Sequence, residues 1–136
     1  MHENKQVELE TKANVLYESE QLPEAIALCN RILELFPSSH IAYHLLGEVA
    51  IKSEMYQEAV VFCTKSLEIS ECQPIVYCNL GEALAQCSRY EEAILSFRKS
   101  IELDPMLLEP YENITRIQQF IDYQNWQALN NQYSAS

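Results

Sequence analysis

The chain has 136 residues, about one domain, and 48% of them are hydrophobic, enough for a packed interior. Twenty acidic residues against nine basic ones give a formal charge of −11, so the phosphate attraction behind binding to DNA, RNA or anionic lipid is missing. No apolar run approaches the roughly 18–20 residues of a membrane span, and the N-terminus MHENKQVELE lacks an apolar signal core, which predicts a soluble, cytoplasmic chain.

Ala25, Ala59 and Ala93 follow one another at a step of 34 residues, and Gly47 and Gly81 are separated by the same step. A fixed period of this length marks stacked supersecondary units, not one globular core. Counted from place 1 at Gln6, three copies span 6–39, 40–73 and 74–107, behind a short extension at 1–5. In the third copy Tyr77, Leu80, Leu84 and Cys87 recur at spacings of three and four, as one helical face requires. The polar break Ser88-Arg89-Tyr90 separates them from a second stripe, Ala93, Ile94, Phe97 and Ile101. Each copy therefore predicts two helices of roughly fourteen residues in an antiparallel hairpin, which buries its stripes only by stacking on a neighbour.

The five prolines fit this frame, because proline is tolerated in a helix's first turn or beyond its end. Pro23, Pro74 and Pro110 fall in first turns, and Pro37 and Pro105 just past helix ends. Gly47 and Gly81 sit in mid-helix, where glycine costs about 1 kcal/mol relative to alanine. Close approach of the second helix at Ala59 or Ala93 is the expected compensation, and Ala13 fills the same place in the first copy. Beyond 107, Tyr111 and Ile114 continue the pattern, while Thr115 and Gln118 stand where a small and an apolar residue are expected. Residues 108–122 read as a more polar capping helix, and 123–136 as a tail that begins a second helix around Trp126 and then frays. Phe120 and Trp126 are expected to pack beneath the third hairpin, with self-association as the alternative.

Tyr77, Leu80-Gly81, Tyr90, Ala93, Phe97 and Asp104-Pro105 together resemble the tetratricopeptide repeat family. The second copy keeps Tyr43, Leu46-Gly47, Tyr56 and Ala59 but has Cys63 where Phe97 stands, and Glu71 where proline is expected. The first copy carries Leu9, Ala13, Leu16, Ala25 and Phe36-Pro37. The resemblance implies an all-α fold, a right-handed superhelical solenoid of antiparallel helix hairpins, with the first helix of each hairpin lining a concave groove. It also implies protein binding in that groove. The candidate partner-binding residues are Asn14, Tyr17, His44, Glu48, Lys52, Cys78, Asn79, Glu82, Gln86, Glu112, Asn113 and Arg116, with the apolar Val7, Ile41 and Ile75 between them. Acids outnumber bases, which suits an extended or helical peptide with basic and apolar side chains. Glu48 and Glu82, at one place of consecutive copies, form either a negative track for Lys or Arg or merely two solvated acids.

Co-chaperones of this family hold the acidic C-terminal tail of heat-shock chaperones with a clamp of Lys, Asn, Asn, Lys and Arg. Here those places hold Glu10, Asn14, Leu45, Ile75 and Asn79, or one repeat along His44, Glu48, Asn79, Glu109 and Asn113. Either set lacks the cations that pair a terminal carboxylate, so no binding to such tails is expected.

Other chemistry finds little support. His40 and His44 share a helix face with Cys78 near by, but no further ligand completes a metal site, and neither metal nor cofactor is expected. Five cysteines, Cys29, Cys63, Cys72, Cys78 and Cys87, read as reduced thiols packed as small hydrophobes, since no base or electropositive setting accompanies them. The glycosylation triplet Asn113-Ile114-Thr115 reads as accidental in a chain without a signal sequence. A non-enzymatic adaptor or scaffold is thus the expected function. Two alternatives are a secretion-type or assembly chaperone, which usually carries more than five residues ahead of its first repeat, and a regulatory fragment of a larger protein. The initiating Met and polar ends favour a free-standing chain over the latter.

Overall fold

The computed structural model describes residues 2–134, which prolines, one serine cap and a recurring left-handed turn punctuate into seven helices. They are α1 (His2–Glu18), α2 (Leu22–Leu35), α3 (His40–Lys52), α4 (Tyr56–Ile69), α5 (Pro74–Gln86), α6 (Tyr90–Leu103) and α7 (Glu109–Ser134). Met1, Ala135 and Ser136, at the outer ends of the expected extension and tail, lie outside the described residues. Helix α1 already includes residues 2–5, the expected extension. No helix among the described residues is long and apolar enough to cross a membrane.

Pro23 and Pro74 stand in the first turns of α2 and α5, where a missing N–H has no helical partner to lose. Ser39 caps α3, its hydroxyl accepting from the Ala42 N–H at 3.1 Å. All three hairpins turn the same way. Glu20, Glu54 and Ser88 take φ of 59°, 58° and 61°, and the next N–H reaches back to close the helix: Gln21 to Leu16, Met55 to Ala50, Arg89 to Leu84. This is the Schellman closure, built here without glycine.

Each hairpin packs its own two helices together and stacks on the next. The first helices α1, α3, α5 and α7 also touch in series, whereas among the described residues α2, α4 and α6 do not touch one another. A stack that is tight along one rail and splayed along the other curves towards the tight one. The result is a right-handed superhelical solenoid with α1, α3, α5 and α7 on the concave side.

The apolar interior runs through the stack in three groups. Ala13, Cys29, Ile32, Leu45 and Leu46 join the first hairpin to α3; Ala50, Ala59 and Ala83 join α3, α4 and α5; Cys78, Leu84, Ala93, Phe97 and Ile117 join the third hairpin to α7. Two fully buried serines pin hairpins closed: Ser66 and Ser100, on α4 and α6, donate to the carbonyls of His40 and Pro74 at 2.8 and 2.7 Å. The corresponding residue of the first copy is Ile32, held by apolar contact alone.

Gly81 is required by its surroundings. A Cβ there would lie 2.7–2.8 Å from three atoms of the Phe97 ring, and at Gly47 it would lie 3.1 Å from Cys63 Sγ. The close approach expected from Ala59 and Ala93 thus comes instead from the residue one turn further along the second helix.

Helix α7 is one uninterrupted helix of 26 residues. The break expected after residue 122 does not form, because no proline or glycine occurs from 118 to 134. Ile114, Ile117 and Ile121 hold its first half against the third hairpin, and Phe120 leans on Tyr90 with ring centroids 5.4 Å apart. Trp126 departs from expectation. It is 60% exposed and stacks on Tyr123 of its own helix, centroids 6.2 Å apart, not beneath the hairpin.

Candidate functional site

Two rows of side chains run across the concave face. Val7, Ile41 and Ile75, at the same place of consecutive copies on α1, α3 and α5, make an apolar row, with Val7 60% and Ile75 51% exposed. Two helical turns further on, Asn14, Glu48, Glu82 and Arg116 make a polar one.

Glu48 is approached from three helices. His44 Nε2 lies 2.6 Å from its Oε1 along α3, Asn79 Nδ2 donates from α5 at 3.4 Å, and the Tyr17 hydroxyl comes in from α1. Lys52 Nζ stands 4.5 Å from the centre of the Tyr17 ring, a cation–π contact. Burial pushes the Glu48 carboxyl up, but His44, Tyr17 and Asn79 outweigh it and hold the group below its ordinary 4.5. Burial and then the Glu48 charge push the Tyr17 phenol well above its usual range. Five of the predicted groove residues therefore form one network whose carboxylate is already satisfied.

Glu82, one repeat along, differs. Burial raises its carboxyl, the neighbouring Glu109 charge raises it further, and Arg116 only partly offsets them. Glu82, Gln86, Asn113 and Arg116 line a cleft of about 110 Å³ between α5 and α7, where Arg116 Nη1 lies 3.4 Å from Asn113 Oδ1. Glu112 borders a second, open cleft with Arg116. Asn14 lines a third cleft, between α1 and α3, with Val7 and Thr11.

Several expectations change in the folded chain. Cys78 is only 3% exposed and belongs to the wall beneath the groove, not to its surface. Burial, then Glu109 and Glu82, push its thiol up to about 12. Glu10 is also withdrawn: it is 8% exposed and accepts from Ser39 Oγ at 2.5 Å and Gln6 Nε2 at 3.1 Å. His40 Nδ1 pairs with Gln73 Oε1 at 3.2 Å while His44 pairs with Glu48, so the two imidazoles do not converge. Among the described residues no three His, Cys, Asp or Glu groups are placed to share a metal ion. Cys29 and Cys63 are fully buried, and burial pushes their thiols up to about 11 and about 12. Cys72 lies exposed in the link between α4 and α5, unlike the packed cysteine expected.

The sequence reading missed the pairing that distinguishes the two glutamates. Glu109 and Glu82 come from different repeats, and only the α5–α7 contact brings them together. The serine ties were legible in principle, since Ser66 and Ser100 occupy one place in consecutive copies.

Two sequence models, each described as tetratricopeptide repeat, match residues 40–71 and 74–107. Comparison with curated proteins gave no match. Among solved structures, the chain is similar to the Arabidopsis OM64 TPR domain at 22% identity, over 85% of this chain and 96% of that one, with a TM-score of 0.80. It is also similar to the first TPR of Spaghetti (RPAP3) bound to the HSP90 peptide SRMEEVD, at 18% identity over 88% and 94% of the two chains, with a TM-score of 0.82. MamA is similar at 18% identity over 90% and 71%, with a TM-score of 0.80. At these identities the likeness to solved structures is one of fold. With repeat models matching two consecutive hairpins, and a third hairpin and a closing helix continuing the same stack, the chain belongs to the tetratricopeptide repeat family.

Proposed function

We propose that the chain is a non-enzymatic adaptor whose concave groove holds a partner segment bearing a basic side chain and apolar side chains. The observation that carries this reading is Glu82, a carboxylate in the α5–α7 cleft whose ionisation is made costly by burial and by the nearby Glu109 charge. An incoming Lys or Arg relieves that cost, and Ile75, seven residues before Glu82 on the same face of α5, offers apolar surface beside it. Glu48 is not the recognition carboxylate, because His44, Tyr17 and Asn79 already occupy it.

The solved Spaghetti relative holds an acidic HSP90 peptide. The corresponding places in this chain favour the opposite charge, and Glu10 and Leu45, at two of them, are withdrawn from the surface at 8% and 3% exposure. Fluorescence polarisation with two labelled peptides of equal length tests the reading, one alternating Lys or Arg with Leu, the other ending Glu-Glu-Val-Asp. The basic peptide is expected to bind and to lose at least tenfold in affinity, about 1.4 kcal/mol, with Glu82→Lys. Preference for the acidic peptide would overturn the proposal.

A further inference from the structure

We propose that the second half of α7 is a self-association surface, separate from the groove, through which two copies of the chain meet. Every charged residue lies at or before Asp122, and the stretch from Tyr123 to Ser134, YQNWQALNNQYS, has none. The body that precedes it therefore holds the whole net charge of −11.

The packing of α7 separates two faces. Ile114, Ile117 and Ile121 bind one face to the third hairpin. At about 100° per residue, Tyr123 and Trp126 fall on the other side of the helix and Leu129 on its flank, and the three are 55%, 60% and 53% exposed. Tyr123 and Trp126 are already stacked at an interplanar angle of 19°, so part of the ordering cost of a contact is met before association.

Charge decides the occupant. A basic partner gains no attraction from an uncharged helix and is drawn instead to the acidic body, whereas two copies of a polyanion repel wherever their bodies meet. Their uncharged, aromatic helix ends are the part of each copy that approaches the other at least electrostatic cost. A two-fold, antiparallel crossing near Trp126 sets each Trp126 against Tyr123 and Leu129 of the second copy. Twelve residues span only about 18 Å, so the contact stays below the roughly 1,200 Å² of stable complexes and the dimer is weak.

Sedimentation of the full chain from about 5 to 500 µM tests this, with emission of the single tryptophan, Trp126, followed in parallel. Mass is expected to rise from 15.7 kDa towards twice that, with a blue shift over the same range. Both changes should move to lower concentration as NaCl goes from about 0.05 to 0.5 M, because screening weakens the repulsion between bodies. Leu129→Glu and Tyr123→Lys, at exposed sites outside the hairpins, are each expected to keep the wild-type melting temperature and remain monomeric. A wild-type monomer throughout would overturn the proposal. So would dimerisation of both variants at wild-type strength, or its loss with Glu82→Lys, which would assign the contact to the groove.

Discussion

The second and third hairpins share one frame, one turn geometry and one buried serine tie, yet they differ at two places that matter. Beneath the mid-helix glycine of α3 lies Cys63, and beneath that of α5 lies the Phe97 ring. On the groove side, Glu48 sits among donors while Glu82 sits beside another acid. The difference teaches that the repeat dictates where a small residue or a carboxylate stands, whereas its neighbours decide what that residue does. The second hairpin uses its carboxylate to hold α1, α3 and α5 together; the third sets its own beside Glu109, and it is this carboxylate that we propose meets a basic ligand.

The sharpest way to break this comparison is to add one methyl group to each glycine. Gly81→Ala drives a Cβ to within 2.8 Å of a ring that is 0% exposed and has nowhere to go, and a loss of about 2–3 kcal/mol is expected. At Gly47 the gain in helix propensity, about 1 kcal/mol, offsets the tight 3.1 Å contact with Cys63 Sγ, so Gly47→Ala should stay within about 1 kcal/mol of wild type. Urea unfolding reads both. In a cycle with Phe97→Cys the cost of Gly81→Ala should largely vanish; equal costs at the two glycines would remove Phe97 as the cause.

Next in size is the exchange of each glutamate for glutamine. Glu48→Gln weakens charge-assisted contacts to His44, Tyr17 and Asn79 and should cost about 1 kcal/mol. Glu82→Gln removes a carboxylate that is costly to ionise and should leave the melting temperature unchanged or raise it. The pH dependence has opposite signs. Glu48 ionises more readily folded than unfolded, so its contribution is present above 4.5 and is lost as pH falls through its lowered folded value. Glu82 binds its proton more tightly folded, so its contribution is present below 4.5 and is lost as pH rises through its raised folded value. Melting temperatures of both variants should therefore depart from wild type above 4.5 and in opposite directions, Glu48→Gln falling below it and Glu82→Gln rising above it; departure in the same direction would dissolve the distinction.

The periodic part of the molecule was legible from residues alone. Ala25, Ala59 and Ala93 mark the period, and Pro74 and Pro105 bracket a hairpin, because backbone and packing constraints repeat with the chain. What escaped were properties of contacts between copies. Place in the repeat marks Cys78 and Glu10 as facing the groove, yet the adjoining helices cover both. The unbroken run of α7 was missed because a polar, aromatic sequence carries no strong helical stripe, although nothing in it stops a helix once the isoleucines have anchored its first half.

The smallest expected effect is a control on the comparison, because it concerns what the hairpins share. Glu20, Glu54 and Ser88 hold left-handed φ near 60° without glycine, a conformation that costs a non-glycine residue roughly 1 kcal/mol. Replacing each by glycine relieves that strain at some cost in unfolded-chain entropy, so each variant should gain about 0.5 kcal/mol in urea unfolding. Glu20 and Glu54 also place a negative charge at the negative end of a helix dipole, an arrangement worth a few tenths of a kcal/mol against them. Glu54→Gly should thus gain slightly more than Ser88→Gly, and added salt should narrow the gap. A gain confined to one hairpin would mean that the turns differ as well, and that the contrast between Glu48 and Glu82 is inherited from the backbone and not from their neighbours.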